Sequence, residues 1–267
     1  MSKIIAFIGV GNMGSAIVGG MLRSGHFTPK DLILADPAKE KCLSFMDQGC
    51  RYTADIPAAV AQADVIVLAV KPQLIDQVMS TFTEAAQDKL IISIAAGVTV
   101  SRIEKALSGA RVIRVMPNTP LQVNHGVTAI CRGAGVEDED YALAHEIFSC
   151  SGMVFDVEES MLNPITALTS SSIAYFARFI GDMCAWGEKN GFTDKKLLLE
   201  LVCRSAIGTA EMLTQTEFTP ESLEAAVTSP KGTTERAMAV FSEHGLAKTV
   251  SDAMDACKKR ADELAGN

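Results

Sequence analysis

The chain of 267 residues has no C-x-x-C pair, no apolar stretch long enough to cross a membrane, no large basic cluster, no internal repeat and no low-complexity linker. Each absence removes a class of protein. The seven cysteines, at positions 42, 50, 131, 150, 184, 203 and 257, form an odd set that falls mostly in apolar patterns. Buried thiols in a reducing compartment explain them better than a disulfide framework. Without a window of about 18 apolar residues no segment spans a bilayer. The first apolar run is too short for a signal peptide and leads directly into a glycine turn, so a cytoplasmic protein is expected. A net charge of −8 argues against a nucleic-acid surface. Lys258-Lys259-Arg260 is the one basic run, and with Asp255, Asp262 and Glu263 beside it, it reads as a solvated, ion-paired helix face. His26, His125, His145 and His244 lie in separate segments with no carboxylate motif next to them, which suits surface or packing roles and gives no metal site.

What is present is a globular composition, 48% apolar and 21% charged, of a length that suits two domains. The chain is organised around Phe7-Ile8-Gly9-Val10-Gly11-Asn12-Met13-Gly14. Ile4, Ile5, Phe7 and Ile8 form a short apolar strand, and Gly9, Gly11 and Gly14 supply G-x-G-x-x-G where it stops. Gly9 permits a tight turn, Gly11 lets backbone amides approach a pyrophosphate, and Gly14 lets the following helix pack on the strand. That helix begins near Asn12, so its unpaired amides and positive dipole end face the diphosphate. A second strand, Leu32–Ala35, ends in Asp36, whose carboxylate can accept hydrogen bonds from a ribose diol and would repel a 2′-phosphate. Asp36 also reads as a helix cap before Pro37.

Residues 37–48 suit a helix stopped by Gly49, with a weak strand at Arg51–Tyr52 and a short helix at 56–62. Asp64–Val70 is apolar on both faces and β-branched, as a central parallel strand is. It ends at Ala69-Val70-Lys71-Pro72. Residues 90–95 repeat the theme and end at Ala95-Ala96-Gly97, and residues 112–116 repeat it again and end at Pro117-Asn118-Thr119-Pro120. Alternating strands and helices imply a parallel, doubly wound sheet whose ligands gather at the carboxyl ends of the strands. Lys71, at one of those ends, could offset repulsion of a 2′-phosphate, or could be purely structural.

Strands at 126–131 and 153–157 around a helix at 138–149 complete the sheet. Asn163-Pro164 then reads as an N-cap with Pro at the first position of a helix running to Asn190-Gly191. Residues 197–213 are apolar all round, so they must be buried all round. A helical domain of this size has too few layers to hide that surface, so its helices are expected to pair with those of a second copy in an intertwined homodimer or a higher homo-oligomer. The expected organisation is an α/β Rossmann-type domain over 1–162 followed by an all-α dimerisation and substrate domain over 163–267.

A second site is expected in Ala226–Arg236. Its loop feeds a helix whose first-turn amides, those of Gly232, Thr233 and Thr234, could bind a small carboxylate. Ser229, Thr233 and Thr234 add hydroxyl donors. A plain Ser/Thr cap with nothing bound accounts for the spacing equally well.

Taken together, Gly9–Gly14, Leu68-Ala69-Val70-Lys71-Pro72, Ser93-Ile94-Ala95-Ala96-Gly97-Val98, Arg114–Pro120 and Ser229-Pro230-Lys231-Gly232-Thr233-Thr234 resemble pyrroline-5-carboxylate reductase in order and spacing, over nearly the full length. The resemblance implies reduction of a cyclic imino acid, 1-pyrroline-5-carboxylate, to L-proline with NADH or NADPH. It implies that Ser229, Gly232, Thr233 and Thr234 hold the substrate carboxylate and that Thr234 also meets the ring nitrogen. Many relatives carry Ser, Asn or Arg where this chain has Asp36, so a preference for NADH is expected here.

Three positions depart from the family pattern. Ser170 replaces a Gly and Ile173 a Pro at the start of the interface helix, and Lys231 replaces the first Gly of the usual Ser-Pro-Gly-Gly. They motivate a competing reading as a catalytically idle dinucleotide-binding paralog. A further competing reading is a β-hydroxyacid dehydrogenase or other imine reductase of similar two-domain build; the hydroxyacid enzymes rely on a lysine in the long interdomain helix, and Asn163–Trp186 contains none.

Overall fold

The computed structural model describes residues 3–266. Its first unit is built on one eight-stranded sheet in the order β3-β2-β1-β4-β5-β6-β7-β8. β1 (Ile5–Ile8) leads into α1 (Asn12–Ser24), which ends at Gly25 in the left-handed conformation. β2 (Leu32–Ala35), α2 (Leu43–Met46), β3 (Arg51–Thr53) and α3 (Ile56–Gln62) complete one wing. β4 (Val65–Leu68), α4 (Ile75–Met79), β5 (Leu90–Ser93), α5 (Val100–Ala106) and β6 (Arg111–Met116) build the other. β7 (Gly126–Arg132), α6 (Asp138–Ser149) and β8 (Gly152–Asp156) extend that wing to the edge.

β1 pairs in parallel with β2 on one side and with β4 on the other, so strand order reverses between β1 and β4. Such a reversal opens a crevice beyond the strand ends. The central strands are buried on both faces. Ala6, Ile8, Ile66 and Leu68 join one apolar cluster, while Ile5, Phe7, Val65 and Val67 join the other. Full burial of each such side chain contributes roughly 1.5–3 kcal/mol, which fixes the strands that carry the turn.

Several expectations change. β7 runs antiparallel to β6, because the link between them is a short 3-10 turn, Thr119–Val123, with Asn124 at φ +60°. No crossover helix fits there, and a parallel return needs one. The helix expected over 37–48 is broken into a 3-10 turn, Lys39–Lys41, and the single turn of α2. The Asp36 side chain takes the Ala38 amide at 2.9 Å, which competes with helix formation at the start of the segment.

The segment read as one long helix from Asn163 is also divided. α7 (Leu162–Ile165) begins earlier, a π-helical turn follows over Thr166–Ser170, and α8 (Ser172–Lys189) runs on to Gly191, at φ +96°. Asn163 therefore lies inside a helix and caps nothing. Its side-chain amide donates to Asp262 at 2.8 Å. Ser170 Oγ bonds the Pro117 carbonyl at 3.3 Å, so the serine standing in for Gly is absorbed by the π turn.

By compactness the chain divides into Met1–Ser170 with Cys257–Asn267, and Ser171–Ala256. The division falls later than the 162/163 boundary read from sequence, and the last residues fold with the first unit. The second unit holds α8, α9 (Lys195–Gln215), α10 (Pro220–Val227), α11 (Thr233–Glu243) and most of α12 (Leu246–Ala265). Leu198 of α9 packs where Gly187 of α8 has no side chain. Phe176 is 67% exposed and Trp186 65%, and Leu199, Ile207 and Val240 are also exposed. Within one chain these helices leave a large apolar surface uncovered. Among the described residues no helix is long and apolar enough to cross a membrane, and no group of His, Cys, Asp or Glu is placed to hold a metal ion. In the basic run, Lys258 pairs with Asp262 and Arg260 with Glu263.

Candidate active site

The glycine turn is shaped for a large anion. Gly9 has φ +97°, and a Cβ on it would lie 2.8 Å from the Ala69 carbonyl oxygen. A Cβ on Gly11, in contrast, would meet nothing within 4 Å. The first helical hydrogen bond of α1 is Ser15 N–H to Gly11 O at 2.8 Å. The amides of Asn12, Met13 and Gly14 precede it and have no carbonyl one turn back. Open space beside Gly11 in front of free first-turn amides fits a diphosphate.

Around that turn the structure collects most of the residues singled out in the first unit. Gly9 N–H bonds Ala35 O and Ala69 N–H bonds Ile8 O, so Gly9, Asp36 and Ala69 sit at neighbouring strand ends. Val70 and Lys71 follow β4, and Pro72 opens a 3-10 turn. Lys71 is exposed and among the described residues has no ion-pair partner. Ala95, Ala96 and Gly97 follow β5, with Gly97 at φ +73°. A Cβ there would lie 3.2 Å from Leu264 Cβ, so the final turn of α12 covers this loop.

Asp36 and Asn118 are both committed to the protein itself. Asp36 is 5% exposed, with Oδ2 accepting the Val10 amide at 2.9 Å and Oδ1 accepting the Ala38 amide at 2.9 Å and the Lys41 ammonium at 3.2 Å. Burial alone would raise its pKa. The Val10, Ala38 and Lys41 hydrogen bonds outweigh it and hold the carboxyl below the usual carboxylate range. Asn118 is buried, donating to Thr169 O at 3.0 Å and accepting from Val127 N–H at 2.8 Å. It joins the end of β6 to β7 and to the π turn.

Glu159 has no motif to mark it in the sequence. Its Oε1 accepts the Val100 amide, just past the Gly97 loop, at 2.7 Å and the Arg114 guanidinium at 3.1 Å. Arg114 is 2% exposed and its Nε and other Nη have no partner. His145 does meet a carboxylate: Nε2 lies 2.6 Å from Asp156, a contact between α6 and β8 that separation along the chain conceals. Burial pushes the Cys50 thiol up to about 11, in keeping with a packed, unreactive group.

In the second unit, Gly232 caps α11 and its amide bonds Ser229 O at 2.9 Å. Thr233 and Thr234 open the helix, so their amides have no partner within α11. Lys231 holds φ +59°, a left-handed conformation that Gly adopts freely and Lys does not, and its amide donates to Glu235 Oε2 at 2.8 Å. Ser229, Gly232, Thr233 and Thr234 thus form one loop and helix start.

A parallel-rich sheet reversing at β1, an open glycine turn beneath a helix start and an appended helical unit define an NAD(P)H-dependent oxidoreductase. The family described as "NADP oxidoreductase coenzyme F420-dependent" matches residues 4–97, and "Pyrroline-5-carboxylate reductase dimerisation" matches residues 159–264. The pyrroline-5-carboxylate reductase of Escherichia coli K12 is 37% identical over 99% of both chains, and that of Vibrio alginolyticus is 39% identical over 98% of this chain and 97% of its own. Among solved structures, the Coxiella burnetii pyrroline-5-carboxylate reductase superposes with a TM-score of 0.89 at 33% identity, covering 99% of both chains. The Plasmodium falciparum enzyme with NADP bound gives a TM-score of 0.91 at 26% identity over 98% of both chains. The chain belongs to the pyrroline-5-carboxylate reductase family.

Proposed function

We propose that this chain reduces 1-pyrroline-5-carboxylate to L-proline, using NADH or NADPH. The observation that carries the reading is the open face of Gly11 before α1, in a chain whose likeness to the reductases runs through both units. A bound nicotinamide dinucleotide would supply the hydride. Gly11, Asn12, Met13 and Gly14 hold its diphosphate through backbone amides, and Gly9, whose own amide is bound to Ala35, makes the turn that presents them. Ala69, Val70, Lys71, Pro72, Ala95, Ala96 and Gly97 line the strand ends along which it lies, with Asp36 and Asn118 fixing the loops at either side.

The substrate is a small anion with a polar ring nitrogen. The Thr233 and Thr234 amides and the hydroxyls of Ser229, Thr233 and Thr234 grip its carboxylate, Gly232 forms the cap that lets it approach them, and the Thr234 hydroxyl aligns the nitrogen. No strong acid is required, because a cyclic imine can arrive already protonated. The residues then have to orient the reacting atoms and exclude water.

The exposed apolar faces of α8 and α9 support a homodimer formed through the helical unit, and light scattering on the eluting protein should give at least twice the chain mass at micromolar concentration. Seven cysteines, all free, favour the reducing cytoplasm. Oxidation of NADH or NADPH by pyrroline-5-carboxylate is the decisive assay. Loss of turnover in Thr234→Ala with dinucleotide binding intact supports the assignment, whereas binding without any turnover in the parent protein identifies an idle paralog.

A further inference from the structure

The corner beyond β2, where a Rossmann-type site meets the adenosine ribose, is arranged differently from what the lone Asp36 suggests. The Asp36 carboxylate faces inward, bound by the Val10 and Ala38 amides at 2.9 Å each. Over its outer side lies Lys41, with Nζ at 3.2 and 3.4 Å from the two oxygens. The Lys41 side chain is 47% exposed, against 6% for that of Asp36. Lys39 stands beside it, Nζ 5.8 Å from the centre of the Tyr52 ring, and the Tyr52 hydroxyl donates to the Asp36 carbonyl at 3.1 Å. Glu40 is exposed between the two lysines and has no ion-pair partner among the described residues.

The two acidic groups of this corner therefore differ in kind. Asp36 is buried, neutralised by Lys41 and fixed to the glycine turn. Glu40 is solvated and free to turn away. The cations are the groups that an arriving ligand meets and can rearrange: a 2′-phosphate can draw Lys41 outward, since only the one carboxylate holds it. A dinucleotide lacking that phosphate offers hydroxyls to the same corner and gains little from a second cation.

We propose that Lys41 is the residue that admits a 2′-phosphate, so that NADPH is accepted in spite of Asp36, and that Asp36 is a positioning residue that holds the Gly9–Val10–Gly11 turn for either dinucleotide. This rests on the dinucleotide reading of that turn and is independent of the imine substrate.

The test is direct binding of NADPH and of NADH to the full chain, followed by nicotinamide fluorescence, for the parent, Lys41→Ala, Lys41→Arg and Asp36→Asn, with melting temperatures as a check on folding. Lys41→Ala should weaken NADPH about tenfold and NADH less than twofold, and Lys41→Arg should restore NADPH. Asp36→Asn should weaken both dinucleotides by a similar factor. Equal losses for both in Lys41→Ala, or a selective gain of NADPH binding in Asp36→Asn, would overturn the proposal and return the choice to Asp36. A parent protein that binds neither dinucleotide would remove the reading of the turn itself. Binding without turnover would leave this assignment standing and reject the reductase activity alone.

Discussion

A Cβ on Gly14 would fall 2.5 Å from the Gly9 carbonyl oxygen, a backbone atom that cannot step aside. Gly14 is thus the point at which α1 rests on the end of β1. Gly11 lies between them with no neighbour within 4 Å and an ordinary φ of −76°. Gly14→Ala should lower stability by about 1–3 kcal/mol. Gly11→Ala should leave the melting temperature almost unchanged and weaken dinucleotide binding at least tenfold. Urea unfolding together with binding titrations separates the two, and a Gly11→Ala protein that binds normally would rule out the diphosphate at this turn.

Glu159 joins the loop after β5 to the buried guanidinium of Arg114. Glu159→Gln keeps the shape but removes the charge opposite Arg114. The cost should be about 2–3 kcal/mol, reduced from that of a fully enclosed pair because Glu159 is one-third exposed. The urea midpoint measures it, and weaker dinucleotide binding should accompany it through the Gly97 loop.

Asp140 of α6 is 2% exposed and accepts from Arg111 and Lys3. Burial alone would raise its pKa, but these partners outweigh it and hold the carboxyl below the usual range. A carboxyl depressed on folding stabilises the native state above its unfolded value of about 3.9. That contribution disappears as the pH falls through the lower folded value. Melting temperature should therefore drop steeply below about pH 4, and Asp140→Asn should be less stable at neutral pH with a shallower drop. Parallel curves for the two proteins would exclude this carboxylate as a source of acid lability.

Lys231 carries a left-handed φ in the loop that opens α11. Lys231→Gly should keep stability within about 1 kcal/mol, since relief of the backbone is offset by a freer unfolded chain. A β-branched Lys231→Ile should lose about 1–2 kcal/mol and raise KM for the imino acid. Equal stability of the two variants would show that the loop relaxes freely.

What sequence made legible was the part governed by local rules. β1, the glycine turn and α1 stand out because an apolar strand, spaced glycines and a helix fall in consecutive residues, and the central strands stand out because both faces are buried. The hidden parts depend on partners far along the chain. Asp36 could be placed beside the turn, but the hydrogen bond its carboxylate accepts from the Val10 amide is decided by side-chain orientation. The π turn at 166–170 is tied to Asn118 and Pro117 by hydrogen bonds that no periodicity reveals. The reversed β7 follows from the length of one connection, which the alternating strand and helix pattern masked.

The last turn of α12 lies against Gly97, and Asp262 is bound to Asn163. During synthesis on the ribosome, the loop after β5 therefore waits for a piece that emerges only after the whole helical unit. The sheet can form early, but the loop after β5 receives its cover late, once the helical unit has left the ribosome. The order of the chain thus makes this loop among the last parts at the sheet's strand ends to be secured.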